Sequence, residues 1–87
     1  MRLNKEDLLK LSEVDVEAPG AYVRYLYHDA ELRRLTENRD IANDYVDDTL
    51  SLDKVIAKVT EYRDEAVARL HWAGEKAGIT VNIPFMG

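Results

Sequence analysis

The chain has 87 residues, of which 46% are hydrophobic and 33% are charged, with no cysteine and a formal net charge of −5. This length predicts a single domain over residues 1–87, and the apolar fraction argues against disorder. The composition excludes disulfides, thiolate metal sites and a cysteine nucleophile, and the negative charge disfavours generic DNA binding. No apolar run approaches the roughly 20 residues of a membrane-spanning helix, and no signal peptide is recognisable, so we expect a cytoplasmic protein that does not bind membranes.

The first predicted element is a short helix that begins after Asn4. The side chain of Asn4 can cap the helix, and the acidic residues that follow it favour the helix dipole. Leucines at positions 8, 9 and 11 give it one apolar face, which stops near Ser12. Residues 14–17 then alternate between apolar and acidic, a pattern typical of an extended or strand-like segment.

A second, long helix is predicted to begin near Pro19 and to run to about Asp48, since residues 21–48 contain neither proline nor glycine. Its apolar residues form two stripes, and two stripes imply packing partners on two sides of the helix. We therefore expect a homo-oligomer. One stripe consists of Val23, Leu26, Tyr27, Ala30, Ile41 and Tyr45, and the other of Tyr25, Leu32, Leu35, Ala42 and Val46.

The third helix has the most regular pattern, with apolar residues at alternating spacings of four and three. Arg63 occupies the one gap in this series, and Tyr62 is the alternative residue for that position. Gly78 stands where a helix-terminating glycine is expected. A short turn near Ser51 makes the two long helices antiparallel, so the predicted fold class is all-α: a short amino-terminal helix, a long helical hairpin and an extended carboxy-terminal tail. The apolar positions of the third helix are Leu52, Ile56, Val59, Ala66, Leu70, Ala73 and Ala77.

The tail, residues 79–87, is rich in β-branched and apolar residues and is not expected to continue the helix. We expect it to dock either on its own hairpin or on a neighbouring subunit. A two-stranded pairing with residues 14–16 is a further, less favoured alternative.

Catalytic and metal-binding motifs are not found in the sequence. The four glycines are far apart, the two serines are typical of caps or loops, and no second histidine follows either His28 or His71 at helical spacing. We therefore expect a protein that is not an enzyme and that needs no metal or cofactor.

Four aspartates at helical spacing form an acidic face in the middle of the chain. Such a face is most often simply solvated; it can also dock a basic partner protein or hold a divalent cation. We name it as the candidate partner-binding surface: Asp40, Asp44, Asp47 and Asp48.

A segment rich in tyrosine and arginine carries the most distinctive chemistry. Aromatic faces stack on bases, and guanidinium groups match phosphate oxygens. In the alternative interpretation the tyrosines are interface residues and the arginines pair with nearby acids. Trp72, beside the apolar series of the third helix, is either an anchor between helices or subunits or a stacking platform. The candidate ligand-binding residues are Arg24, Tyr27, His28, Arg33, Arg34 and Trp72.

Four short segments between about residues 25 and 77 stand together in this sequence: Tyr27-His28, Leu32-Arg33-Arg34-Leu35, Arg39-Asp40-Ile41-Ala42 and Trp72-Ala73. Through these segments the sequence resembles the viral anti-CBASS cyclic-oligonucleotide sponges. The resemblance implies a small oligomer of helical hairpins that binds a cyclic di- or trinucleotide immune signal between subunits without cleaving it, as a viral immune-evasion protein. Acidic residues follow His28 where the family has a basic phosphate contact, so Arg33 or Arg34 would take that role. The alternative function is a small inhibitor or adaptor that binds a host protein through its apolar stripe and acidic face.

Overall fold

The computed structural model describes residues 3–37 and 52–86, which contain three helices and no strand. These are α1, Lys5–Val14; α2, Ala18–Glu37; and α3, Leu52–Ala77. The extended tail follows α3. The all-α prediction is confirmed for this part of the chain.

Helix α1 is capped at both ends by short-range hydrogen bonds. The side chain of Asn4 accepts from the backbone N–H of Asp7 at 2.8 Å, as predicted from the sequence. At the other end the N–H of Asp15 donates to the carbonyl of Leu11 at 2.9 Å. The N–H of Glu17 then donates to Asp15 Oδ1 at 3.1 Å and closes a turn. The prediction of a strand-like segment over residues 14–17 was therefore wrong.

Helices α2 and α3 pack along each other through two groups of buried residues. The first part of α2 packs against the last part of α3, and the last part of α2 packs against the first part of α3. The first group includes Ala18, Ala21, Tyr22, Tyr25, Ala66, Val67, Leu70 and Ala73, and the second consists of Leu32, Leu35, Leu52 and Val59.

The segment that joins α2 to α3, residues 38–51, lies outside the described residues. So does the predicted continuation of the second helix beyond Glu37. The hairpin connection and the homo-oligomer therefore stay predictions.

The apolar series of α3 faces the core as predicted: Ile56 and Ala77 are half-buried, and its other members are buried. Its gap is filled by Arg63, whose side chain is 4% exposed. Tyr62, the alternative residue for that position, is exposed. Val67 and Gly74 are buried as well, because α3 contacts the tail on a second side.

Helix α3 ends in a Schellman-type turn. Gly78 has a φ of +72°, and the N–H of Ile79 donates to the carbonyl of Gly74 at 2.9 Å. The chain turns back here, and Val81 and Ile83 are buried with α2 and α3. In this structure the tail docks on its own chain and makes no pairing with residues 14–16, which belong to the end of α1 and a turn.

Within residues 3–37 and 52–86, no helix combines the length and the apolar character that crossing a membrane requires.

Candidate functional site

One of the two apolar stripes predicted on the second helix faces solvent. Val23, Leu26, Tyr27 and Ala30 are all exposed and recur at the spacing that places residues on one side of a helix. We call these four residues the α2 stripe. Tyr25, Leu32 and Leu35 of the other stripe are buried. The structure thus covers one predicted stripe with α3 and leaves the other open; the stripe residues beyond Glu37 lie outside the described part of the chain.

Three aromatic side chains meet at the edge of the α2 stripe. The ring of Tyr27, 65% exposed, lies edge-on to that of His28 with centroids 5.2 Å apart. The His28 ring in turn lies 5.7 Å from that of Tyr62 on α3. His28 Nδ1 is 3.3 Å from Glu31 Oε1, which fixes one side of the imidazole. We call Tyr27, His28 and Tyr62 the aromatic cluster.

The three candidate arginines of α2 differ in their partners. Arg33 Nη2 lies 3.4 Å from Asp29 Oδ2, one turn earlier on the helix. Arg24 and Arg34 are exposed and form no ion pair with another described residue. Arg24 is one turn before the aromatic cluster, and Arg34 is two turns after Tyr27. The alternative interpretation, in which the arginines pair with nearby acids, holds for Arg33 among the described residues.

Trp72 lies apart from the aromatic cluster. It follows Tyr62 by ten residues on α3, which is about 15 Å along the helix. The ring of Trp72 is half-exposed and is flanked by Arg69 Cζ at 5.7 Å and Lys76 Nζ at 5.9 Å. The six candidate ligand-binding residues therefore lie at two separate sites in one chain.

The cation beside Trp72 also joins α3 to the turn between α1 and α2. Arg69 Nε donates to Asp15 Oδ2 at 2.5 Å, and Arg69 Nη2 lies 3.0 Å from Asp15 Oδ1 and 2.9 Å from Glu17 Oε2. The hydrogen bonds from Arg69 hold the pKa of Asp15 below its usual value, and those to Asp15 raise the pKa of Arg69. This pairing occupies most of the guanidinium and leaves Lys76 as the freer cation at Trp72.

Arg63 is the centre of a buried polar network that sequence reasoning did not find. Its Nε donates to Asp29 Oδ1 at 3.1 Å, and its Nη1 donates to Asp64 Oδ1 and to the Pro84 carbonyl, both at 2.9 Å. The guanidinium also lies 5.1 Å from the centre of the Tyr25 ring. The signal in the sequence was the arginine itself, standing at an apolar position of α3, because a buried charge requires partners.

The two histidines have separate structural partners. His71 Nε2 lies 2.6 Å from the carbonyl oxygen of Ile83, and its ring stacks on Phe85 with centroids 5.2 Å apart. Among residues 3–37 and 52–86, no group of three or more histidine or acidic side chains is placed to hold a metal ion. The acidic face of Asp40, Asp44, Asp47 and Asp48 lies outside these residues.

No family model, no curated protein and no solved structure matches this chain.

Proposed function

We propose that the chain is a non-enzymatic, cytoplasmic binding protein that assembles as a homo-oligomer of helical hairpins. In this proposal each assembly sequesters an anionic ligand of the cyclic nucleotide class at the boundaries between its subunits. The biological role would be that of a viral sponge for an immune signal, as the resemblance to the anti-CBASS sponges implies.

Assembly is supported by the α2 stripe. Four apolar or aromatic residues on one side of a helix lose contact with water when a second chain covers them, and burial contributes about 25 cal/mol for each Å² of apolar surface. A chain of 87 residues has a small core of its own, so subunit contacts add substantially to its stability.

Ligand binding is supported by the aromatic cluster and the arginine next to it. Tyr27 and Tyr62 present exposed rings on which a base can stack, and Arg24 can supply a guanidinium for a phosphate. The observation that carries the proposal is that Tyr27 belongs both to the α2 stripe and to the aromatic cluster. A neighbouring subunit that covers the stripe would therefore form one wall of the ligand site.

The test is thermal unfolding in the presence of cyclic di- and trinucleotides. A ligand that binds the folded state raises the melting temperature by mass action, so we expect at least one of them to raise it. Tyr62→Ala and Arg24→Ala remove one ring and one cation of the site and should abolish the shift. Lys10→Ala removes an exposed cation from α1 and serves as the control, with the shift retained.

The same samples test assembly. Light scattering should give a mass well above the 10.0 kDa of one chain, and native mass spectrometry should show retained nucleotide after expression in cells that make such signals. A strict monomer at micromolar concentration contradicts the proposed assembly. An oligomer whose melting temperature no cyclic nucleotide changes contradicts the ligand and favours the alternative, an inhibitor or adaptor that binds a protein.

A further inference from the structure

The outward face of α3 carries a shallow groove on the side away from α2. Its lining includes the small side chains of Ala57 and Ala68, with Glu61 and Glu65 between them; Thr60 and Asp64 complete it. We call these six residues the α3 groove. Its floor is apolar and its charged residues are all acidic, so it suits an apolar helix that carries positive charge.

The α2 stripe has the complementary properties. Its large side chains, which include Leu26 and Tyr27, can pack over the small alanine side chains of the α3 groove. Arg34 lies one turn after the last residue of the stripe and is opposite in charge to Glu61 and Glu65. The lengths agree as well: Val23 to Arg34 and Ala57 to Ala68 each span about 16.5 Å of helix.

We infer that the α3 groove is the docking surface for the α2 stripe of a second copy of this chain. The inference rests on the proposed assembly and names the surface that receives the stripe. Met86 adds an exposed apolar side chain at the rim of the groove, which favours docking. It is held there because its backbone N–H donates to Asp64 Oδ1 at 3.1 Å. Glu61 is paired with the exposed Lys58, at 3.5 Å, and an exposed pair of this kind exchanges at little cost.

The direction of the two surfaces determines the kind of assembly. The α2 stripe lies opposite the residues of α2 that contact α3, and the α3 groove lies opposite the residues of α3 that contact α2. The two surfaces thus face away from each other on one chain. A contact between two such unlike surfaces is heterologous, so it does not stop at a dimer and leads to a ring or a series of more than two chains.

Charge reversal on each surface tests this contact. Arg34→Glu places a glutamate at the end of the stripe, where it would meet the acidic groove of the next chain. The double variant Glu61→Lys, Glu65→Lys places two lysines in the groove, where they would meet Arg34 of the next chain. Each variant alone should dissociate at least about tenfold more readily than the unaltered protein, because like charges meet at the contact. An equimolar mixture of the two should recover assembly, since every contact in an alternating series pairs opposite charges.

Analytical ultracentrifugation over a range of concentrations measures these outcomes, and circular dichroism checks that each variant is folded. If the groove variant assembles as well as the unaltered protein, or if the mixture does not recover, the stripe is covered by another surface and the inference is wrong. An unaltered protein that stops at two chains also overturns it. These results leave the proposed nucleotide binding untouched, whereas a monomeric unaltered protein contradicts the proposed assembly itself.

Discussion

Arg63 of α3 and Asp29 of α2 form an ion pair between the two long helices, with Nε 3.1 Å from Oδ1 and the Arg63 side chain 4% exposed. The same guanidinium reaches the Pro84 carbonyl in the tail. The Arg63 side chain therefore joins α2, α3 and the tail. It does so from a position at which the spacing of the α3 series predicts an apolar residue.

We expect Arg63→Ala to lower the free energy of unfolding by about 3 kcal/mol, because Asp29, Asp64 and the Pro84 carbonyl each lose the hydrogen bond that Arg63 donates. Urea denaturation followed by circular dichroism, at one fixed chain concentration, measures the change. Lys10→Ala, which removes an exposed cation from α1, is the control and should change the value by no more than about 0.5 kcal/mol. A loss for Arg63→Ala no larger than that of the control would show that the network adds nothing to stability.

Gly74→Ala should destabilise the protein. An added Cβ would lie 2.7 Å from Val81 Cγ2 and 2.8 Å from the Ile79 carbonyl oxygen, so the tail has to move away from α3. We expect a net loss of about 1 to 3 kcal/mol in denaturant unfolding, even though alanine favours the helical state.

Gly20→Ala is the control for this substitution. The nearest atom to its added Cβ is Arg24 Nη1 at 3.8 Å, an ordinary contact with a flexible side chain. This variant should therefore be stabilised, by up to about 1 kcal/mol, because alanine has less freedom to lose on folding. Equal effects at the two glycines would contradict the close approach of the tail to α3.

Ile83→Ala tests the docking of the tail on its own chain. The side chain of Ile83 is 1% exposed, and its removal should cost about 2 to 4 kcal/mol of unfolding free energy. Phe85, two residues later, is 52% exposed and stacks on His71, so Phe85→Ala should cost about 1 kcal/mol or less. If the order of the two losses is reversed, the tail does not lie as described.

The pairing of Asp15 with Arg69 predicts a dependence of stability on pH. The pKa of Asp15 is lowered from its usual 3.8 when the protein is folded, so the unfolded chain binds the proton more readily. The stabilisation is present in full above the unfolded pKa and is lost as the pH falls through the lower folded pKa.

Asp15→Asn should consequently be less stable than the unaltered protein at pH 7 and should lose less stability on acidification from pH 5 to pH 3. Urea unfolding across this range measures both curves. Parallel curves for the two proteins would contradict the assignment, since the two proteins differ in no other acidic residue.

Short-range rules predicted much of the fold. The Asn4 cap and the Gly78 turn depend on residues within a few positions of each other, and the α3 pattern extends over seven turns, so one atypical residue does not obscure it. Residues 14–17 show the limit of such rules. Four alternating residues are too few to define a strand, and the carboxylate of Asp15 decides the local structure by accepting from the N–H of Glu17 and from Arg69.

The candidate site was predictable only in part, because it depends on which helix faces meet. Sequence reasoning grouped Trp72 with Tyr27 and His28, yet the packing of α2 on α3 places Tyr62 beside His28. Helical spacing predicted both stripes of α2, but it does not show which of them α3 covers. The docked tail depends on contacts such as His71 with Ile83, twelve residues apart, and those are set by the tertiary fold.

The return of the tail along α3 has a practical consequence for experiments with fusion tags. The last described residue, Met86, is held at Asp64, near the middle of α3 and on the rim of the α3 groove. A purification tag or fluorescent protein attached behind it would emerge there, at the surface that we propose for the docking of a second subunit. Assembly should therefore be measured on untagged protein. A carboxy-terminal fusion that remains monomeric would show that the tag blocks the groove, and would not contradict the proposed assembly.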